Sequence, residues 1–91
     1  MANEKINSIS DIVWTVINGN DSKFPTRIWT SINSRTVVKS EEGVISITED
    51  ESVTLYVPKG NNMYVVLSQD LEYVGEISEQ ELVDKLNQPK N

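Results

Sequence analysis

The chain has no cysteine and no histidine among its 91 residues. These two absences exclude disulfide staples, thiolate nucleophiles, imidazole bases and every Cys/His zinc pattern, so stability has to come from packing alone. Aromatic side chains are few: two Trp, three Tyr and one Phe. Long apolar runs are missing as well, since a stretch such as Met63 to Leu67 falls far short of the ~20 residues a membrane helix needs. The opening Met1-Ala2-Asn3-Glu4-Lys5 has neither the basic nor the apolar region of a secretory signal. Together with the lack of disulfides, this directs the expectation to the cytoplasm, or to a host cytoplasm if the chain is viral.

Enzyme signatures are equally sparse. Glu41-Glu42 and Glu49-Asp50-Glu51 offer carboxylates, but a catalytic carboxylate needs partial burial to tune its pKa, and consecutive acids in a turn are solvated. Lys59-Gly60 lacks the glycine spacing of a phosphate loop. Asn18-Gly19-Asn20-Asp21-Ser22 carries oxygen ligands without the alternating acids and the distant Glu of a calcium loop. Asn20-Asp21-Ser22 is also a glycosylation sequon, of no consequence in a cytoplasmic chain. The expectation is a non-enzymatic protein with no cofactor and no metal.

What the chain does have is a division of charge. The formal net charge is −6, with 8 basic and 14 acidic residues. Residues 1–40 hold five basic and three acidic side chains, and residues 41–91 hold three and eleven, so the halves carry +2 and −8. The segment from Ser22 to Ser40 contains Lys23, Arg27, Arg35 and Lys39 and no acid. A composition of 37% hydrophobic and 24% charged residues is that of a folded domain, and the length suits one domain over 1–91 with flexible ends near 1–6 and 88–91.

Patterning supplies the elements. Ser78-Glu79-Gln80-Glu81 is a capping box, and Ile77 with Leu82 forms the matching hydrophobic staple, so a helix is predicted over 79–87, closed by Pro89. Upstream the apolar period is two: Ile45 and Ile47, then Val53, Leu55 and Val57, then Met63, Val65 and Leu67, after which Ser68-Gln69-Asp70 turns the chain into a further strand over 72–77. Residues 43–77 therefore read as a four-stranded antiparallel meander leading into the helix. Thr26 to Ile32 and Arg35 to Lys39 read as two further strands, after a polar loop over 18–24. For Ile9, Ile12, Val13, Val16 and Ile17 the spacing is helical, with Ser8 as N-cap, Asp11 at the third helical position and Gly19 past the end, so a helix is expected over 9–18. The competing reading is a hairpin turn at Asn18-Gly19. The fold class expected is α+β: an antiparallel meander of about four to six strands with an N-terminal and a C-terminal helix packed on the sheet.

Two classes of binding follow from the charge division. In the first, the acidic half meets a protein partner with a basic surface, through Glu41, Glu42, Glu49, Asp50, Glu51, Asp70, Glu72 and Glu76. A sharper form is a nucleic-acid mimic, whose carboxylates imitate phosphates; small size, acidity and the lack of catalytic groups suit an inhibitor encoded by a phage or mobile element. In the second, Lys23, Arg27, Arg35 and Lys39 contact phosphates and Trp29 stacks on a base. A winged-helix-like layout would need helices at 9–18 and 25–34 with the 43–57 hairpin as the wing, against the β-branched content of Thr26 to Ile32. A third class is a structural subunit that pairs through exposed strand edges, with a homodimer as its simplest form. Trp14 and Trp29 are candidate anchors or core residues, and Tyr56, Tyr64 and Tyr73 would form an aromatic strip if register aligned them.

Overall fold

Alternation of apolar and hydroxyl-bearing residues turns about half of the described residues into sheet. The computed structural model describes residues 5–17 and 27–89. Residues 1–4 and 90–91 of the ends expected to be flexible, the 18–24 loop with its Asn18-Gly19 turn, and Lys23 lie outside the described residues. Seven strands, β1 (Thr15–Ile17), β2 (Arg27–Ile32), β3 (Arg35–Lys39), β4 (Ile45–Glu49), β5 (Ser52–Gly60), β6 (Met63–Leu67) and β7 (Tyr73–Ser78), pair antiparallel in sequence order. Among the described residues one α-helix, α1 (Glu79–Asn87), is present, and it follows β7 directly.

The expected N-terminal helix over 9–18 is not formed. Ile9–Asp11 makes a single 3-10 turn, and the chain then extends into β1, where Thr15, Val16 and Ile17 lie opposite Trp29, Ile28 and Arg27. Five of the six residues from Ile12 to Ile17 are β-branched. That content is stiff in a helix and suits a pleated surface, and the free edge of β2 supplies the ladder that tips the balance. The sheet thus has seven strands rather than four to six. β2 is extended where a winged-helix-like layout would need a helix.

Two-residue connections set the register. Asn33-Ser34, Asp50-Glu51 and Asn61-Asn62 each place both residues at positive φ, between 49° and 69°. This is the geometry whose twist matches that of paired strands, and all three turns reach it without glycine.

The helix begins as the sequence requires. Ser78 Oγ accepts from the Glu81 N–H at 3.1 Å, and the Glu81 carboxylate accepts from the Ser78 N–H at 3.0 Å. Leu82, Val83 and Leu86 are buried against one face of the sheet, with Ile32, Val37, Ile45, Ile47 and Tyr56, and Ile6 and Ile12 close the same core. Burying each of the three helical side chains contributes about 1.5–3 kcal/mol.

Polar contacts lock the far end of α1. Arg35, 3% exposed, donates through Nη1 to the Leu86 and Gln88 carbonyls at 3.3 and 2.8 Å. Asn33 Nδ2 donates to the Leu86 carbonyl at 2.8 Å. These carbonyls are among those a helix end leaves without internal partners. Asn87 exchanges two hydrogen bonds with the Ile6 backbone, at 2.9 and 2.7 Å, so the N-terminal segment is tied to the same place.

Candidate functional site

Register separates the molecule into a helix-covered face and an open face. Ile28, Thr30 and Ile32 of β2 align with Lys39, Val37 and Arg35 of β3, and through Ile45, Ile47 and Glu49 with Tyr56 and Val66; this is the covered face. The alternate residues form the open face, where one row crosses every strand: Thr15, Trp29, Val38, Ser46, Leu55, Leu67 and Tyr73. Beside Trp29 lies a hollow of about 550 Å³ bounded by Ile17, Arg27 and Val38. Tyr56 and Tyr64 point to the covered side and Tyr73 to the open side, so the three tyrosines do not form a strip. Burial, and then the charge of Glu49, hold the Tyr56 phenol above its ordinary pKa of 10.0.

The acidic candidates divide into three places. Glu41 and Glu42 are exposed in the β3–β4 turn. Asp50 and Glu51 in the β4–β5 turn and Asp70 and Glu72 in the β6–β7 turn are exposed at the opposite end of the sheet. The Val53 N–H donates to Gln69 Oε1 at 3.3 Å and ties these two turns together. Glu76 lies on the open face and accepts from Lys59 Nζ at 2.8 Å, and that hydrogen bond and charge hold Lys59 above its ordinary 10.5. Glu49 is half-buried on the covered face, 3.4 Å from Arg35 Nε. The contact is an ion pair in which Arg35 Nε makes no hydrogen bond.

The basic candidates are also dispersed. Arg27 is exposed and Trp29 half-buried, both on the open face. Arg35 is buried and engaged by α1. Lys39 sits on the covered side, its Nζ 5.6 Å from the centre of the Trp14 ring. Trp14 itself packs against the core.

One feature escaped the sequence. The β3–β4 and β6–β7 connections are the same turn built twice. In the first, the Ser40 N–H donates to the Val44 carbonyl (2.9 Å), the Gly43 N–H to the Ser40 carbonyl (3.0 Å), and Ser40 Oγ accepts from Glu42 and Val44 (3.2 and 3.1 Å). In the second, Ser68 N–H donates to Glu72 (2.8 Å), Leu71 N–H to Ser68 (2.8 Å), and Ser68 Oγ accepts from Asp70 and Glu72 (3.2 and 3.1 Å). The fourth residue is left-handed in both, at φ 91° for Gly43 and 67° for Leu71. Glycine adopts that conformation freely, whereas a residue with a side chain is disfavoured by about 1–2 kcal/mol. Leu71 is nonetheless there, 68% exposed, between Asp70 and Glu72 and next to Tyr73 (66%) and Val74 (63%). Aligning the serines of Ser40-Glu41-Glu42-Gly43 and Ser68-Gln69-Asp70-Leu71 would have revealed the pairing.

Among the described residues no helix is long and apolar enough to cross a membrane. No protein-family model matches the chain, and neither the curated proteins nor the solved structures include a match to it.

Proposed function

We propose that this protein is a non-enzymatic binding module that docks a basic protein surface on the corner formed by the β6–β7 turn and the start of β7. Leu71, Tyr73 and Val74 are its apolar contacts, and Asp70, Glu72 and the neighbouring Glu51 are its charged rim. The observation that carries the reading is Leu71: an exposed leucine held at φ 67°, where the equivalent turn has glycine. Strain that the fold does not need points from an observed outlier to a role. An apolar centre with acids around it suits recognition by a partner, with charge acting on encounter rate and the apolar residues on residence time.

The acids supporting this reading are those of the corner rather than the full set, because Glu41 and Glu42 lie at the other end of the sheet. A partner that uses its basic surface for nucleic acid would be blocked by such docking, so inhibition in the cytoplasm is the activity the reading favours. Capture from lysate, compared between the unaltered protein and three variants, tests it. Leu71→Gly and Asp70→Asn/Glu72→Gln are expected to lose the same retained protein, the second more at low salt, while Arg27→Glu keeps it. Retention on DNA or heparin that depends on Arg27 and Trp29, with Leu71→Gly silent, would replace the reading with nucleic-acid binding.

A further inference from the structure

Within the β6–β7 corner, the outer edge of β7 is where the backbone is left open. β7 ends the sheet, and among the described residues no strand pairs with its outer side. Hydrogen-bond parity decides which groups point outward. The Glu79 N–H donates to the Asn62 carbonyl at 2.8 Å, so the bonded pairs that follow are Tyr64 with Ile77 and Val66 with Gly75. Glu76 and Ser78 therefore turn their N–H and carbonyl groups away from β6. The Glu81 carboxylate takes the Ser78 N–H, whereas Glu76, Val74 and Tyr73 are exposed. In that stretch a register shift opposite Val66 and Leu67 leaves Val74 without a partner on β6.

Gly75 lies inside this open stretch, and the fold does not require a glycine there. It does not adopt the left-handed conformation, and a Cβ built on it would meet no atom within 4 Å. Glycine weakens a strand and marks places where another chain approaches closely. Gly75 also ends the covered-face row of Ile45, Tyr56 and Val66, so the room beside it adjoins a half-buried apolar side chain. At Leu71 the corner has a side chain where the turn needs none, and at Gly75 it has none where there is room for one.

We propose that β7 takes a short, extended, basic segment of the partner as an eighth strand. The inference rests on the corner as the docking site and names the manner of docking. Main-chain hydrogen bonds to the outward groups supply affinity, and alternate side chains supply specificity. A large apolar or aromatic side chain of the segment fills the room beside Gly75, as aromatic neighbours do for glycines at sheet edges. Charge sets the flanks. Residues 70–81 carry five acidic and no basic side chains. Lys59 already matches Glu76, and the other four stand at the two ends of the open stretch, Asp70 and Glu72 before it and Glu79 and Glu81 after it. A segment with lysine or arginine on either side of a central apolar residue fits this arrangement. A second copy of β7 does not, because twofold antiparallel pairing lays Asp70 and Glu72 of each copy beside Glu79 and Glu81 of the other.

Selection of the whole protein against a random heptapeptide library supplies the probe. Enriched sequences are expected to be basic, with an aromatic or large apolar residue between the charges. The tightest of them, made synthetically, is expected to slow amide hydrogen exchange at Glu76. Only one edge of an added strand faces β7, so N-methylation of one alternate set of peptide amides is expected to weaken binding about tenfold, the scale of a lost hydrogen bond, and of the other set to leave it unchanged. Glu76→Pro deletes an outward N–H at a sheet edge, where proline is tolerated, and is expected to weaken binding to a similar degree with an unaltered circular dichroism spectrum. Should that variant fail to fold, the methylated peptides still decide. Gly75→Leu is expected to fill the room and weaken binding without lowering the denaturation midpoint. A library that yields no basic sequences overturns the proposal, as does a peptide indifferent to methylation of either set, or a dimer that Glu76→Pro disperses. If methylation is silent while Leu71→Gly still abolishes binding, the corner stands and strand addition falls. If strand addition holds while Leu71→Gly and Asp70→Asn/Glu72→Gln are silent, the edge stands and the corner falls.

Discussion

The two five-residue turns, Ser40 to Val44 and Ser68 to Glu72, share a serine that caps two N–H groups and a fourth residue in left-handed conformation. One carries glycine at that position and the other leucine. The hydrogen bonds show what the turn requires, and the glycine shows what satisfies it at least cost. What differs is therefore what the fold does not explain. Leu71 is exposed and conformationally disfavoured, and it stands among acids at the end of an edge strand, where a partner has access.

The comparison is sharpened first against a leucine the fold does need. Leu86 on α1 is fully buried, and Leu86→Ala is expected to lower stability by about 2–5 kcal/mol through lost burial and the cavity left behind. The same truncation at Leu71 is expected to leave the denaturation midpoint close to its original value. A large loss at Leu71 would show that its side chain packs against something.

Exchanging residues between the turns is the next step down. Gly43→Leu is expected to cost about 1–2 kcal/mol by forcing a side chain into the left-handed region. The space there is not the obstacle, since an added Cβ would meet Pro58 Cγ at an ordinary 3.5 Å. Removing the shared hydroxyl should have a smaller and equal effect in both turns. Ser40→Ala and Ser68→Ala are each expected to lower stability by about 1 kcal/mol, as read in urea titrations. Unequal losses would break the equivalence on which the comparison rests.

These elements differ in how far the sequence disclosed them. The C-terminal helix was legible because its signal is local: Ile77, Ser78, Glu81 and Leu82 are close neighbours in sequence, and the box they encode forms. Strands β2, β4, β5 and β6 were legible from period two, and β7 from the turn that precedes it. β1 was not, because Ile12 to Ile17 satisfy both periods and the choice depends on an edge of β2 that only the assembled sheet provides. The burial of Arg35 was invisible for the same reason: its partners are the carbonyls of Leu86 and Gln88, some fifty residues away. The charge division at residue 40 was plain, yet composition does not say which turns share an end of the sheet. That depends on strand parity, which gathers Asp50, Glu51, Asp70 and Glu72 and sends Glu41 and Glu42 to the other end.

The most direct measurement is the unfolding free energy of Leu71→Gly, determined in urea beside the unaltered protein at a single dilute concentration. If Leu71 is retained for a partner and not for the fold, relief of the left-handed strain should raise stability by about 1 kcal/mol with an unchanged slope. A fall in stability of similar size would show that the leucine holds the turn together, and would contradict the assignment of this corner as a binding site.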